Sequence, residues 1–154
     1  MKATVMTGRE PARSLRDLIA GQVADLAKAP CLVIVRNEGH PEAAAYARQV
    51  ARGARRVGIP VREDFIDESS TTATTIRLID GLAVDSQVHG IIVAVQLQSL
   101  VDTQRVVAAL PTHKDVDRIT SGALGELLTG TSHRAPGVAM AVMQLLAHYE
   151  IPLT

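Results

Sequence analysis

The chain has 154 residues, 47% of them hydrophobic, and its 16 basic and 16 acidic side chains leave no formal net charge. That length suits one domain with a core large enough to need no staples. Neutrality and a content of only three aromatics (Tyr46, Phe65 and Tyr149) argue against a nucleic-acid surface.

Cys31 is the lone cysteine, so no disulfide can form within the chain, and it reads as a small buried hydrophobe at the head of an apolar run. The N-terminus lacks the apolar stretch of a secretory signal, and no run of about 18 apolar residues is present to span a membrane. The expected location is the reducing cytoplasm.

Leu15, Leu18, Ile19, Val23 and Leu26 recur at helical spacing over 9–28, and Pro30 stops that helix. Residues 31–36 are a short, largely β-branched run and predict a buried strand. A second helix is predicted over 41–57, with Pro41 in its first turn and Gly58 as its exit. Residues 60–66 alternate apolar and polar side chains, as a half-buried strand does. Ser69, Ser70, Thr71 and Thr72 offer caps for a helix over 72–84. Residues 90–95 predict a central strand, followed by a short helix over 101–110, a loop over 111–120, and helices near 121–128 and 137–149.

This strand–helix alternation predicts an α/β fold, a three-layer arrangement in which a parallel sheet of about three to four strands is flanked by helices. Ligands of such sheets bind beyond the carboxyl ends of the strands. Asn37 to His40, Gln96 to Ser99 and Lys114 to Asp117 are therefore expected on one rim.

The sequence carries no glycine-rich nucleotide fingerprint, no nucleophile elbow and no zinc-protease motif among its five histidines. Tyr46 belongs near the rim end of its helix, where its ring either stacks on a flat heterocycle or packs in the core. Asp117 offers only acceptors when ionised and suits an amino-pyrimidine edge; otherwise Lys114 to Asp117 is a solvated charged loop. Gln96 and Gln98 either contact a ligand or simply end their strand. Arg48, Arg52, Arg55 and Arg56 form a solvated helix face or a surface for an anionic tail.

Tyr46, the run Lys114-Asp-Val-Asp117 and the helix ending at Tyr149 together resemble the folate-binding half of the methylenetetrahydrofolate dehydrogenase/cyclohydrolase family. Thr7-Gly8-Arg9, Leu32 to Val35, Pro41 to Tyr46, Arg56 to Ile59, Gly90 to Val93, and Val142, Leu145 and Leu146 fall in the same order as that family's segments. The resemblance implies an amino-acid-dehydrogenase-like N-terminal domain over 1–154, with no counterpart of the family's nucleotide-binding half. It also implies that Tyr46 stacks on a folate and Asp117 holds the pterin edge.

The departures are specific. The family's Tyr-x-x-x-Lys places its catalytic lysine at Val50, which shares a helix face with Tyr46 but cannot move a proton. The family's glutamine falls on Ala94, its two prolines on Gln96 and Gln98, its Asp-Gly on His89-Gly90, and the glycine after its Lys-Asp-Val-Asp on Arg118.

The function expected from the resemblance is tetrahydrofolate binding, with methylenetetrahydrofolate-dependent one-carbon transfer that uses no NADP. Asp117, Gln96 and His89 are the groups expected to carry that chemistry, with Gln98 and His133 as further polar groups to test. Tyr46, Val50, Ala94, Gln98, Lys114 and Asp117 are expected around the substrate, with no metal. The alternatives are a non-catalytic folate-binding module, a subunit pairing with a separate nucleotide-binding chain or with itself as a homodimer, and a domain repurposed for another small molecule.

Overall fold

The computed structural model describes residues 5–94 and 100–153. Along the chain run α1 (Arg9–Ala24), β1 (Leu32–Asn37), α2 (Pro41–Arg56), β2 (Val61–Ile66), α3 (Thr72–Val84), β3 (Gly90–Val93), α4 (Thr103–Ala109), α5 (Ser121–Leu128) and α6 (Gly137–His148). The strands form a parallel sheet in the order β2-β1-β3, flanked by the six helices. Register is set by pairs such as Leu32 with Val61 on one side and Leu32 with Gly90 on the other.

β1 is the centre of this sheet, and its side chains alternate between two apolar layers. Val33 and Val35 join Ile91 and Val93 against Ile79 and Leu82 of α3 and Val106 of α4. Leu32 and Ile34 join Ile92 against Ala47 of α2. Strands covered on both faces read as continuous apolar runs, which is why 31–36 and 90–95 lack strong polar alternation. β2 lies at an edge and keeps the alternation; its Phe65 is half exposed beneath the Arg36 guanidinium, 4.5 Å from the ring centre.

A fourth segment touches the sheet without becoming a strand. Ile91 donates to the Lys114 carbonyl at 2.7 Å and Val116 donates to the Ile91 carbonyl at 3.3 Å, forming a single parallel bridge between Ile91 and Asp115. The predicted loop over 111–120 is thereby pinned beside β3.

Helix ends follow their sequence signals. His40 Nδ1 accepts from the Ala43 amide, Pro41 begins α2, and Gly58 takes a φ of +83° just past its end. Ala43, Ala47 and Ala51 form the buried face of α2, and such small side chains let the helix lie close to the sheet. The Thr71–Thr74 capping box starts α3. Cys31, expected to be buried, is only partly so and precedes β1 by one residue. α1 and α6 contribute no buried residue, although Tyr149 ties the end of α6 to Thr7, its hydroxyl accepting from that residue's amide at 2.8 Å. Among the described residues no helix is long and apolar enough to cross a membrane.

These layers predict where stability resides. Ile34→Ala empties a fully buried site on the central strand and is expected to lower unfolding free energy by about 2–5 kcal/mol. Leu18→Ala, on the exposed face of α1, is expected to change it by no more than about 0.5 kcal/mol. Urea unfolding of the two variants checks the contrast.

Candidate functional site

At the carboxyl ends of the strands, Val93 and Ala94 lead out of the sheet between two walls. One wall is the first two turns of α2, with Glu42 and Tyr46. The other is the segment holding Asp117 and Ile119, together with Pro136, Gly137 and Val138 at the head of α6. These nine residues line a cleft of about 440 Å³, within the range of small-molecule sites.

Each wall is placed by local structure. Glu42 and Tyr46 are one helical turn apart and share a face of α2. Asp117 follows the bridge to Ile91, and its turn is tied further by Asp115, whose Oδ2 accepts from the Thr120 amide at 2.9 Å. Thr120 in turn caps α5 by accepting from the Ala123 amide. Ala94 is held to β1 by its amide, which donates to the Val35 carbonyl at 2.9 Å.

Across the cleft the Tyr46 hydroxyl donates to Asp117 Oδ2 at 3.3 Å. This is long for a phenol meeting a carboxylate, so the bond is loose. Among the described residues Asp117 makes no other side-chain hydrogen bond, which leaves most of its acceptor capacity facing the cleft.

Burial pushes the Asp117 carboxyl above the usual carboxylate range; the Tyr46 hydrogen bond opposes this, and the nearby Asp115 charge adds to the rise. Burial also raises the Tyr46 phenol, helped by the negative charge of Asp117 and by the hydrogen bond to it. Among the described lining residues the charged groups are two acids, Glu42 and Asp117, with no cation. The cleft is therefore built for a ligand that presents N–H donors at one edge and apolar surface elsewhere.

The structure brings together Tyr46, Ala94 and Asp117. It places four other predicted residues away from the cleft. Lys114 is buried, with its ammonium donating to the carbonyls of Leu82 at 3.0 Å and Asp85 at 2.8 Å. A cation is favoured at the carbonyl end of a helix, and this one closes the end of α3. His89 precedes β3, at the amino end of the sheet, where its Nδ1 accepts from the Cys31 amide at 3.1 Å. Val50 packs beside the Leu32–Ile34–Ile92 layer and does not line the cleft. His133 is exposed and lies outside the lining as well. Gln96 and Gln98 fall outside the described residues.

Arg48, Arg52, Arg55 and Arg56 border a separate groove with Glu63 and share no lining residue with the cleft. Among the described residues no group of three or more His, Cys, Asp or Glu side chains is arranged to hold a metal. Sequence reasoning named neither Glu42 nor Ile119 as site residues, and it met 136–138 only as the place where the family's Pro-Cys-Thr-Pro segment falls. Glu42 had a usable signal, four residues before Tyr46; the others depended on which loops meet.

A sequence model described as the tetrahydrofolate dehydrogenase/cyclohydrolase catalytic domain matches residues 6–117, which include Tyr46 and end on Asp117. The chain belongs to this family. Among similar proteins, the bifunctional protein FolD of Thermus thermophilus is 30% identical over 153 residues, covering 99% of this chain and 54% of that protein. The FolD of Shouchella clausii is 27% identical over 152 residues, covering 97% and 54%.

The bifunctional 5,10-methylenetetrahydrofolate dehydrogenase/cyclohydrolase structure from Thermoplasma acidophilum superposes with a TM-score of 0.87 at 25% identity, over 96% of this chain and 53% of that one. The silkworm 5,10-methylenetetrahydrofolate dehydrogenase gives 0.91 at 23% identity, over 97% and 53%, a likeness of fold. The chain spans about half the length of the curated relatives it matches.

Because Asp117 is raised when folded, its contribution to stability is complete below the unfolded carboxyl pKa, about 3.9, and is lost as pH rises through the folded value. Its ionised form is thus a net cost at neutral pH. Asp117→Asn is expected to melt higher than the parent at pH 7, with the difference shrinking toward pH 4; melts at both pH values check this. Lys114→Met leaves two helix-end carbonyls without their donor and is expected to lose about 1.5–3 kcal/mol in urea unfolding.

Proposed function

We propose that this chain binds a reduced folate, with the pterin lying in the cleft between Tyr46 and Asp117. The observation that carries the reading is the pairing of a half-exposed aromatic ring with a carboxylate that retains free acceptor capacity, across a mostly apolar cleft. A pterin offers a flat face for the ring and an amino-pyrimidine edge whose N–H groups match an ionised Asp117. Glu42, on the α2 wall beside Tyr46, adds a second acceptor. Membership of the family supports the choice of tetrahydrofolate or 5,10-methylenetetrahydrofolate over other flat heterocycles.

The chemistry proposed for the bound folate is transfer of its methylene unit to a nucleophilic acceptor at an unchanged oxidation level. The acceptor and a water replace the two folate nitrogens on that carbon, giving a hydroxymethylated acceptor and releasing tetrahydrofolate, with no hydride transferred and no NADP consumed. Supporting this are Val50 where the resemblance implies a lysine, and a described lining without any cation. This chain's own part is to orient the folate through Asp117 and Glu42 and to shield its reacting edge with Val93, Ala94 and Ile119. Holding two reactants in one orientation is itself worth several kcal/mol of a barrier. The reading also includes a protein partner, a second copy or a separate nucleotide-binding chain, over the exposed apolar side chains of α6 such as Val138 and Val142.

Calorimetric titration with tetrahydrofolate and with its methylene form tests the binding. Asp117→Ala is expected to weaken either ligand by about 10- to 150-fold, the worth of hydrogen bonds to a charged acceptor. Tyr46→Ala is expected to weaken it about 5- to 150-fold through loss of stacking, and Tyr46→Phe far less. Absence of heat with both folates refutes the proposal. Binding without turnover of the methylene form by any acceptor leaves a binding module.

A further inference from the structure

Arg118 stands between two cleft residues, Asp117 and Ile119, yet its side chain turns away from the cleft and is only 4% exposed. Its backbone has a φ of 57°, a left-handed conformation uncommon for a residue with a side chain. Three segments converge on its guanidinium. Nε donates to the Arg134 carbonyl at 3.3 Å and Nη1 to the Thr112 carbonyl at 3.5 Å. Nη2 donates to the Ala123 carbonyl at 3.3 Å and to Glu126 Oε2 at 2.7 Å. A rigid guanidinium fork is suited to joining several acceptors in fixed directions.

The reach to Arg134 is the informative contact. Two residues later begins the wall formed by Pro136, Gly137 and Val138. That wall heads α6, a helix with no buried residue and no side-chain cap at its start. Core packing therefore does little to fix it, and polar ties must. Arg118 provides one from the other segment of the same wall.

We propose that Arg118 is a positioning residue, a clasp that joins the two segments of one cleft wall, Asp117–Ile119 and Pro136–Val138, and fixes where the second stands relative to the first. Its consequence for ligand affinity rests on the folate reading above; its mechanical role does not. The left-handed backbone turns the side chain inward while Asp117 and Ile119 face the cleft, so the unusual φ and the clasp are one feature.

Arg118→Gly tests this, since glycine accepts the same φ and removes only the clasp. Amide hydrogen exchange at 130–138 is expected to quicken at least tenfold in this variant, with β1 and β3 amides unchanged. Arg118→Lys should restore part of the protection. Glu126→Gln, at a side chain that is 43% exposed and so tolerant of change, should quicken exchange severalfold in the same segment. Tetrahydrofolate affinity is expected to fall about tenfold in Arg118→Gly.

Unchanged exchange at 130–138 in both Arg118→Gly and Glu126→Gln overturns the clasp, as does weakened tetrahydrofolate binding without any change in exchange. A parent chain that binds no tetrahydrofolate refutes the folate reading instead and leaves the exchange result to decide the clasp.

Discussion

β1 is paired in parallel on both edges and covered by helices on both faces. The helical crossovers α2 and α3 return the chain to the sheet in the same direction each time, so the carboxyl ends of the three strands meet along one margin. β3 runs out of the sheet there through Val93 and Ala94. The bridge between Ile91 and Asp115 then fixes the segment that carries Asp117 beside the same strand. On the opposite side, the alanine face of α2 brings that helix close to the sheet and delivers Tyr46 to the margin. The cleft thus follows from one packing constraint with two attachments.

Its electrostatics follow from that placement. Partial burial disfavours charge on Asp117, and the Tyr46 hydroxyl offers only a long hydrogen bond in compensation. A ligand bearing N–H donors can supply stronger partners than the free protein does, which is how an imperfectly satisfied acceptor becomes a source of affinity. Lys114 and Arg118 flank the same run but spend their charges on backbone carbonyls and Glu126. The cations near the cleft in sequence therefore brace its surroundings and leave its interior acidic.

The elements were legible because their signals are local. β-branched runs, the Pro41 and Gly58 boundaries of α2 and the Thr71 cap each depend on neighbours in the chain, and the observed elements agree with them to within a few residues at most ends. The length of α1 was overestimated, since residues 25–28 carry helical periodicity but lie beyond Ala24. Tyr46 and Asp117 were legible as candidates through their positions after strands and the resemblance they carry. Their meeting at one rim was expected from the strand ends and the resemblance, and the structure brings them together; the distance between them, across 71 positions, is set only by the sheet.

The sequence by itself determined the alternation of strands and helices, the parallel sheet and the margin at its strand ends, since hydrophobic periodicity and turn chemistry act over a few residues. Tertiary structure decided which polar side chains reach that margin. Lys114 and Arg118 sit near Asp117 in sequence yet bond elsewhere, while Val50 on α2 and His89 just before β3 lie away from the cleft. A long charged side chain goes to whatever acceptors the fold brings within its reach, and those acceptors come from distant parts of the chain.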